Sequence, residues 1–389
     1  MTNQVTFYDT TMRDGEQTIG VNFSIDEKIA IARALDEYGV AAIEAGFPAA
    51  SDKDFQEVQK IAEVVEHAQV VGLARMIRSD IDAVIAATRS ARHPMAHVFI
   101  ATSPIHREFK LKMSKDDIIK KITEDITYTK SKINDIVFSP EDATRTEPDF
   151  LVRSVQAAID AGATIINIPD TVGYATPDEY GAIFENLKNN IIGFDDIIWS
   201  THAHNDLGMA TANTLAGISH GAMQVQSTVN GIGERAGNVD MIEVAAAMRV
   251  RHEKFDKDTD VILEKSKELS TLVATATDIP VAVNKPIMGG NAFAHESGIH
   301  QDGFLKNRAT YEILRPEMVG ASSSLPLGKL SGSHAVMTKL NHMGYNVTRD
   351  DMKQIFPIFK SMAENTNMMT EADMKATMVQ AGKKMVVTQ

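Results

Sequence analysis

Two histidines two positions apart, His202 and His204 in "HAHND", raise the first question of chemistry. On an extended chain side chains alternate in direction, so both imidazoles leave one face and can share one ion. Taken alone, such a pair is more often two hydrogen-bonded histidines of the interior. A second cluster changes the weighing. "TTMRDGEQT", residues 10–18, places Arg13 beside Asp14 directly after the short apolar run "VTFYD". Asp, His, His and an asparagine such as Asn238 of "NGIGERAGN" form a hard-to-borderline donor set that suits Mn2+, Mg2+, Co2+ or Zn2+. Arg13 can polarise a ketone or hold a carboxylate through two parallel hydrogen bonds; its bland alternative is an ion pair with Asp14. The chain has no cysteine. That excludes a thiolate nucleophile, a Cys-type zinc site and a disulfide framework.

Two other motifs promise less. "GIGERA", residues 231–236, matches the dinucleotide fingerprint G-x-G-x-x-G/A, but that fingerprint belongs to the first βα unit of an open sheet. Here the glycines read as a turn or a close approach to a ligand. In "HESGIH", residues 295–300, the second histidine comes one residue too late for a zincin pair on one helical face. His300 remains an acid/base group or a surface histidine.

The elements that must position these groups are legible as apolar runs at 5–9, 40–46, 69–74, 97–102, 135–139, 164–168, 197–202 and 223–228. Many are nearly continuous in Val, Ile and Ala, as strands buried on both faces should be. Helical patterns lie between them. One opens on a capping box, Ser24 and Glu27, and closes on Gly39; another starts with Thr176 as cap and Pro177 at the first helical position. Strand–helix alternation of this length predicts an α/β fold of the (β/α)8 TIM-barrel type, with a doubly wound open sheet as the structural alternative. In a barrel the polar groups at the carboxyl ends of strands form the site. Arg13–Asp14, Glu44, Glu141, Asp170–Thr171, "HAHND" and "NGIGERAGN" all fall there. The alternation stops near residue 265, which divides the chain into a barrel (1–265), a linker and first subdomain (266–325) and a small helical, α-rich subdomain (326–389).

Charge and composition bound the partners. A formal net charge of −13 argues against a general nucleic-acid binder, which needs a basic face. No apolar run reaches the ~20 residues of a membrane span, and the first residues carry no signal-peptide pattern. A soluble cytoplasmic protein is expected.

Seven ordered motifs, "DTTMRDGEQT", "IEAGFP", "SPEDATRTE", "IPDTVGYATP", "HAHNDLGMATAN", "NGIGERAGN" and "HESGIHQDG", resemble those of the 2-isopropylmalate synthases over essentially the whole chain. These are barrel enzymes that join acetyl-CoA to a 2-oxo acid in leucine biosynthesis. The resemblance implies a divalent metal, Mn2+ foremost with Mg2+, Co2+ or Zn2+ as alternatives, held by Asp14, His202, His204 and Asn238, and K+ as an activator. It assigns Arg13 to the ketone, Thr171 to the oxo-acid carboxylate and Glu141 to the substrate side. It pairs Glu234 and His300 for deprotonation of acetyl-CoA and activation of water, and sets Tyr311 near that histidine. Leu73, His97, Ser139 and Asn167 match the oxo-acid pocket.

The implied substrates are acetyl-CoA and 2-oxoisovalerate. An apolar Leu73 and no extra cation suit a branched apolar chain better than a second carboxylate, and by resemblance His97 speaks against citramalate synthase. Citramalate and homocitrate synthases are the rivals within the class, a retro-aldol lyase and a non-catalytic barrel those outside it. The resemblance also implies a homodimer in which the segment bearing His300 and Tyr311 enters the partner's barrel. Members of the bacterial type usually continue into a leucine-binding regulatory domain beyond the point matching Gln389, so leucine feedback is not part of the expectation.

Overall fold

The computed structural model describes residues 3–366 and 368–383. Eight parallel strands close into a barrel in chain order, β1 (Thr6–Asp9), β2 (Ala42–Gly46), β3 (Gln69–Arg75), β4 (Pro94–Ala101), β5 (Asp135–Glu141), β6 (Ile165–Asp170), β7 (Ile198–Ala203) and β8 (Gln224–Ser227). Pairing of β1 with β8, Thr6 opposite Gln224, completes the ring. The open-sheet alternative is thereby excluded. Tyr8, Ala42, Val71, Met95, Val137 and Ile165 pack as one buried layer contributed by six different strands, which makes that level of the barrel a core rather than a pore.

Helices α1 (Ile25–Tyr38), α2 (Asp52–Val64), α3 (Arg78–Ala87), α4 (Lys115–Lys130), α5 (Pro148–Asp160), α6 (Pro177–Asn190), α7 (Ala210–Ser219) and α8 (Met241–Val250) follow the strands in turn. Their local signals act as the sequence implied. Ser24 and Glu27 close a capping box on α1, and Gly39 ends that helix at φ 93°, a conformation that costs a residue without Cβ little. Thr176 and Glu179 do the same at the start of α6, with Pro177 in the first turn.

A short helix α9 (His252–Phe255) and α10 (Ser266–Thr277) complete the first compact unit, which runs to Pro280 rather than to the expected boundary at 265. The physical reason is α10, whose Leu269 and Val273 are buried in the same apolar cluster as Ile31 and Leu35 of α1. The second unit, Val281–Gln389, holds α11 (Gly298–Lys306), α12 (Ser333–His342), α13 (Met352–Ala363) and α14 (Glu371–Gln380). Val336, Leu340, Ile355, Phe359, Met374 and Met378 form its own core. Among the described residues no helix is long and apolar enough to cross a membrane.

Candidate active site

Parallel strands bring all their carboxyl ends to one mouth, and a cavity of about 290 Å3 opens there. Ten of the fourteen residues singled out above line it: Arg13, Asp14, Leu73, His97, Ser139, Glu141, Asn167, Thr171, His202 and His204. Asn238 stands directly behind, its amide nitrogen donating to Asp14 Oδ1 at 2.8 Å. Glu234 is exposed on the loop after β8. His300, in α11, and Tyr311 belong to the second unit, where their rings lie 4.3 Å apart.

The turn after β1 carries the first two groups. Asp14 is only 4% exposed, and its backbone N–H donates to Thr10 Oγ1 at 3.3 Å. The next turn is anchored by Glu16, which meets the buried Lys28 of α1 at 2.6 Å; Lys28 reaches Glu57 of α2 at the same distance. Arg13 spans two carboxylates, its Nε 2.6 Å from Glu44 Oε2 and a terminal nitrogen 2.8 Å from Asp14 Oδ2. His202 Nε2 and His204 Nε2 approach the same Asp14 oxygen at 3.8 and 3.9 Å.

Asp14, His202 and His204 are all buried, and one donor atom from each lies within 4.8 Å of the others. Two donors each about 2.0–2.2 Å from a common ion stand roughly 3–4 Å apart, and the 3.8 and 3.9 Å separations of the two imidazole nitrogens from Asp14 lie in that range. Burial lowers His202 to about 3 and also lowers His204, so both imidazoles are neutral at pH 7. Burial alone would raise Asp14, but Arg13, the two histidines and the Asn238 hydrogen bond together outweigh it and leave the carboxyl at about 2. Glu44 is fully buried and still ionised, because Arg13 and His97 overcome the cost of desolvation.

Around the rim, Arg235 clamps Asp206 through two contacts of 2.7 and 2.9 Å and donates to the Thr171 carbonyl at 2.9 Å. Lys110 holds Glu141 at 2.7 and 2.9 Å. The glycine-rich loop after β8 owes its composition to close packing within the loop and, at Gly233, against Asn238 and Asp14. A Cβ on Gly233 would stand 2.2 Å from Asn238 Nδ2, and one on Gly237 2.0 Å from the Gly231 carbonyl oxygen. These glycines serve the loop itself, and the dinucleotide reading has no support here.

Two residues carry more of the site than their sequence context signalled. Glu44, noticed only as a polar group on β2, accepts from Tyr8 at 2.9 Å, Thr10 at 2.6 Å, Arg13 at 2.6 Å and His97 at 2.6 Å. Gln226 lines the cavity from β8. The alternation Gln224–Val225–Gln226 was the available signal, since a barrel strand has little reason to bury two amides without partners.

Comparison with known proteins agrees with this geometry. Residues 4–273 match the HMGL-like family model, and residues 287–367 match the homocitrate synthase post-HMGL domain-like model. The 2-isopropylmalate synthase of Streptococcus gallolyticus is 53% identical over 374 residues, 96% of this chain and 72% of that one. The enzyme of the same name from Listeria monocytogenes is 50% identical over 374 residues, 96% and 73% of the two chains. Among solved structures, hydroxymethylglutaryl-CoA lyase from Pseudomonas aeruginosa superposes with a TM-score of 0.60 at 17% identity over 72% of this chain and 95% of that one, a likeness of fold. With the family model spanning the barrel and relatives at half identity spanning nearly the whole chain, the chain belongs to the 2-isopropylmalate synthases of the HMGL-like barrel family.

Proposed function

We propose that the chain condenses acetyl-CoA with 2-oxoisovalerate and water to give 2-isopropylmalate and CoA. The observation that carries this reading is the buried Asp14–His202–His204 cluster with Arg13 beside it, facing a small cavity that also holds Leu73 and His97. Asp14, His202 and His204, with Asn238 as fourth donor, would hold a divalent ion, which would supply Lewis-acid charge for a 2-oxo acid. The preorganised N–H groups of Arg13, fixed by Glu44 and Asp14, stabilise the negative charge that develops on the ketone oxygen. Thr171 receives the carboxylate, and Leu73 with His97 shapes the space for the branched chain.

A base must take a methyl proton from the acetyl thioester. The resulting carbon nucleophile attacks the ketone carbon, the ketone oxygen is protonated to a hydroxyl, and water cleaves the thioester to release the CoA thiol. Glu234 and His300 are the proposed acid/base pair, with Tyr311 beside His300. The proposal includes a cytoplasmic homodimer in which His300 and Tyr311 are supplied by the partner subunit.

Release of free CoA thiol, followed with a thiol reagent across several 2-oxo acids, tests the reading. The fastest release is expected with 2-oxoisovalerate and a slower one with pyruvate, because a methylene or two in such a pocket is worth about 1–3 kcal/mol. Preference for 2-oxoglutarate would make the chain a homocitrate synthase, and release independent of any oxo acid would sink the condensation.

A further inference from the structure

Inside the barrel mouth a series of hydrogen bonds passes from strand to strand, and the donors at its two ends follow from their partners. The Glu44 carboxylate only accepts, so its 2.6 Å contact with His97 is made by an Nδ1–H. His97 Nε2 in turn meets the Ser139 hydroxyl at 2.7 Å. Ser139 Oγ accepts from Asn167 Nδ2 at 2.9 Å, and the second hydrogen of that nitrogen reaches Gln226 Oε1 at 3.3 Å. The same Gln226 oxygen stands 3.1 Å from His202 Nδ1. An amide oxygen only accepts, so His202 carries its hydrogen on Nδ1 and presents a bare Nε2 on the side of Asp14.

We propose that Gln226 is a positioning residue for the ion held by Asp14, His202 and His204. Its amide oxygen fixes the tautomer and orientation of the His202 ring, and through Asn167 and Ser139 it ties that ligand to the oxo-acid pocket. Burial makes the arrangement effective: Gln226 and Asn167 are each 1% exposed, so solvent does not compete for the amide oxygen. Gln226 Nε2 and Asn167 Oδ1 are buried without a hydrogen-bond partner. Both residues line the cavity, so an amide N–H is left to meet an oxygen of the bound oxo acid. Partners of this kind orient metal-binding imidazoles and raise their basicity, and losing one typically costs 10–100-fold in metal affinity.

The inference rests on the reading of these three residues as metal ligands, and the test separates the two. Equilibrium dialysis against Mn2+ compares the full chain with Gln226→Met, which keeps the volume and loses the acceptor, and with Gln226→Glu, which keeps the acceptor. The Met variant should bind Mn2+ about 10–100-fold more weakly, and the Glu variant should recover most of that loss. Equal affinity in wild type and Met variant overturns the role of Gln226 alone. Failure of the wild type to bind any divalent ion overturns the ligand reading and this inference with it. Should the Met variant not fold, 15N spectra of the imidazole nitrogens in metal-free wild type decide, with the His202 signals assigned by their loss in His202→Ala. Hydrogen on Nδ1 is expected, and hydrogen on Nε2 overturns the proposal.

Discussion

Replacing Glu44 by glutamine removes one charge from the most enclosed part of the site and keeps its shape. The carboxylate now accepts from four donors, Tyr8 and His97 on one oxygen, Thr10 and Arg13 on the other. An amide keeps one accepting oxygen, so its NH2 must face two of those donors. Arg13 Nε has no lone pair and cannot reverse, whereas the Tyr8 hydroxyl can turn and His97 can move its hydrogen to Nε2. The NH2 therefore settles toward Tyr8 and His97, and Ser139 is forced to accept from both His97 and Asn167. Arg13 loses its ionic partner and is left with Asp14 alone, 2.8 Å away. Because Asp14 still faces Arg13, the loss is that of charged hydrogen bonds, about 1.5–3 kcal/mol, rather than of an unpaired buried charge. A guanidinium drawn toward Asp14 also competes for the carboxylate and leaves the position proposed for the ketone oxygen, and loss of one oxyanion donor costs about 100–1,000-fold in kcat. Urea unfolding of the metal-free protein measures the first effect, and thiol release at saturating substrates the second. A Glu44→Gln variant with wild-type midpoint and wild-type kcat would show that Glu44 does not organise Arg13.

Two further outcomes follow from the same elements. Burial raises Asp9 from 3.8 to about 7 despite two hydrogen bonds from Thr11, so between about pH 4 and 7 the folded chain keeps a proton that the unfolded chain has lost. That contribution makes stability fall as pH rises through the window, by roughly 4 kcal/mol at most at 1.36 kcal/mol per unit; Asp9→Asn should gain on the wild type from pH 5 to 8, and a pH-independent difference in urea midpoints would reject the assignment. Gly237→Ala should lower the melting temperature and the bound metal together, since at φ 85° the new Cβ would meet the Gly231 carbonyl oxygen at 2.0 Å; full metal content with an unchanged melting curve would show that the loop has room.

The barrel was legible because strands buried on both faces are mostly nearly continuous in apolar residues, which marks them even at four to eight residues. Caps were legible for the opposite reason: Ser24, Gly39 and Thr176 act on backbone a few positions away, so the sequence contains both partners. The boundary near 265 was misplaced because an apolar stripe such as Leu269 and Val273 shows that α10 is buried and not against what. Of the site, Asp14 and the two histidines could be read from residue type and spacing. The role of Glu44 could not, because its partners Tyr8, Arg13 and His97 come from 31 to 53 positions away and meet only when the strands pair. Gln226 was hidden by the same non-locality: an amide declares no chemistry until the atom opposite it is known.

The charges of the inner cluster give an argument for the ion that does not depend on resemblance. Arg13 is held protonated by Glu44 and Asp14, and both carboxyls remain ionised because they face it. His202 and His204 are neutral. One guanidinium against two carboxylates leaves a net negative charge in this buried cluster, which is costly in a medium of low dielectric constant. It also repels the carboxylate of any 2-oxo acid. Occupancy of the Asp14–His202–His204 cluster by a divalent cation reverses the sign to a single positive charge, and a monoanionic oxo acid then brings the site to neutrality. With Asp14, His202 and His204 as the proposed ligands, the metal-free site disfavours an anionic oxo acid and the loaded site attracts it, so binding of ion and oxo acid would be mutually cooperative by thermodynamic linkage. The acidity of the whole chain, −13, does not oppose this, because a buried cluster is governed by the few charges within it and distant surface charges are screened over about 8–10 Å.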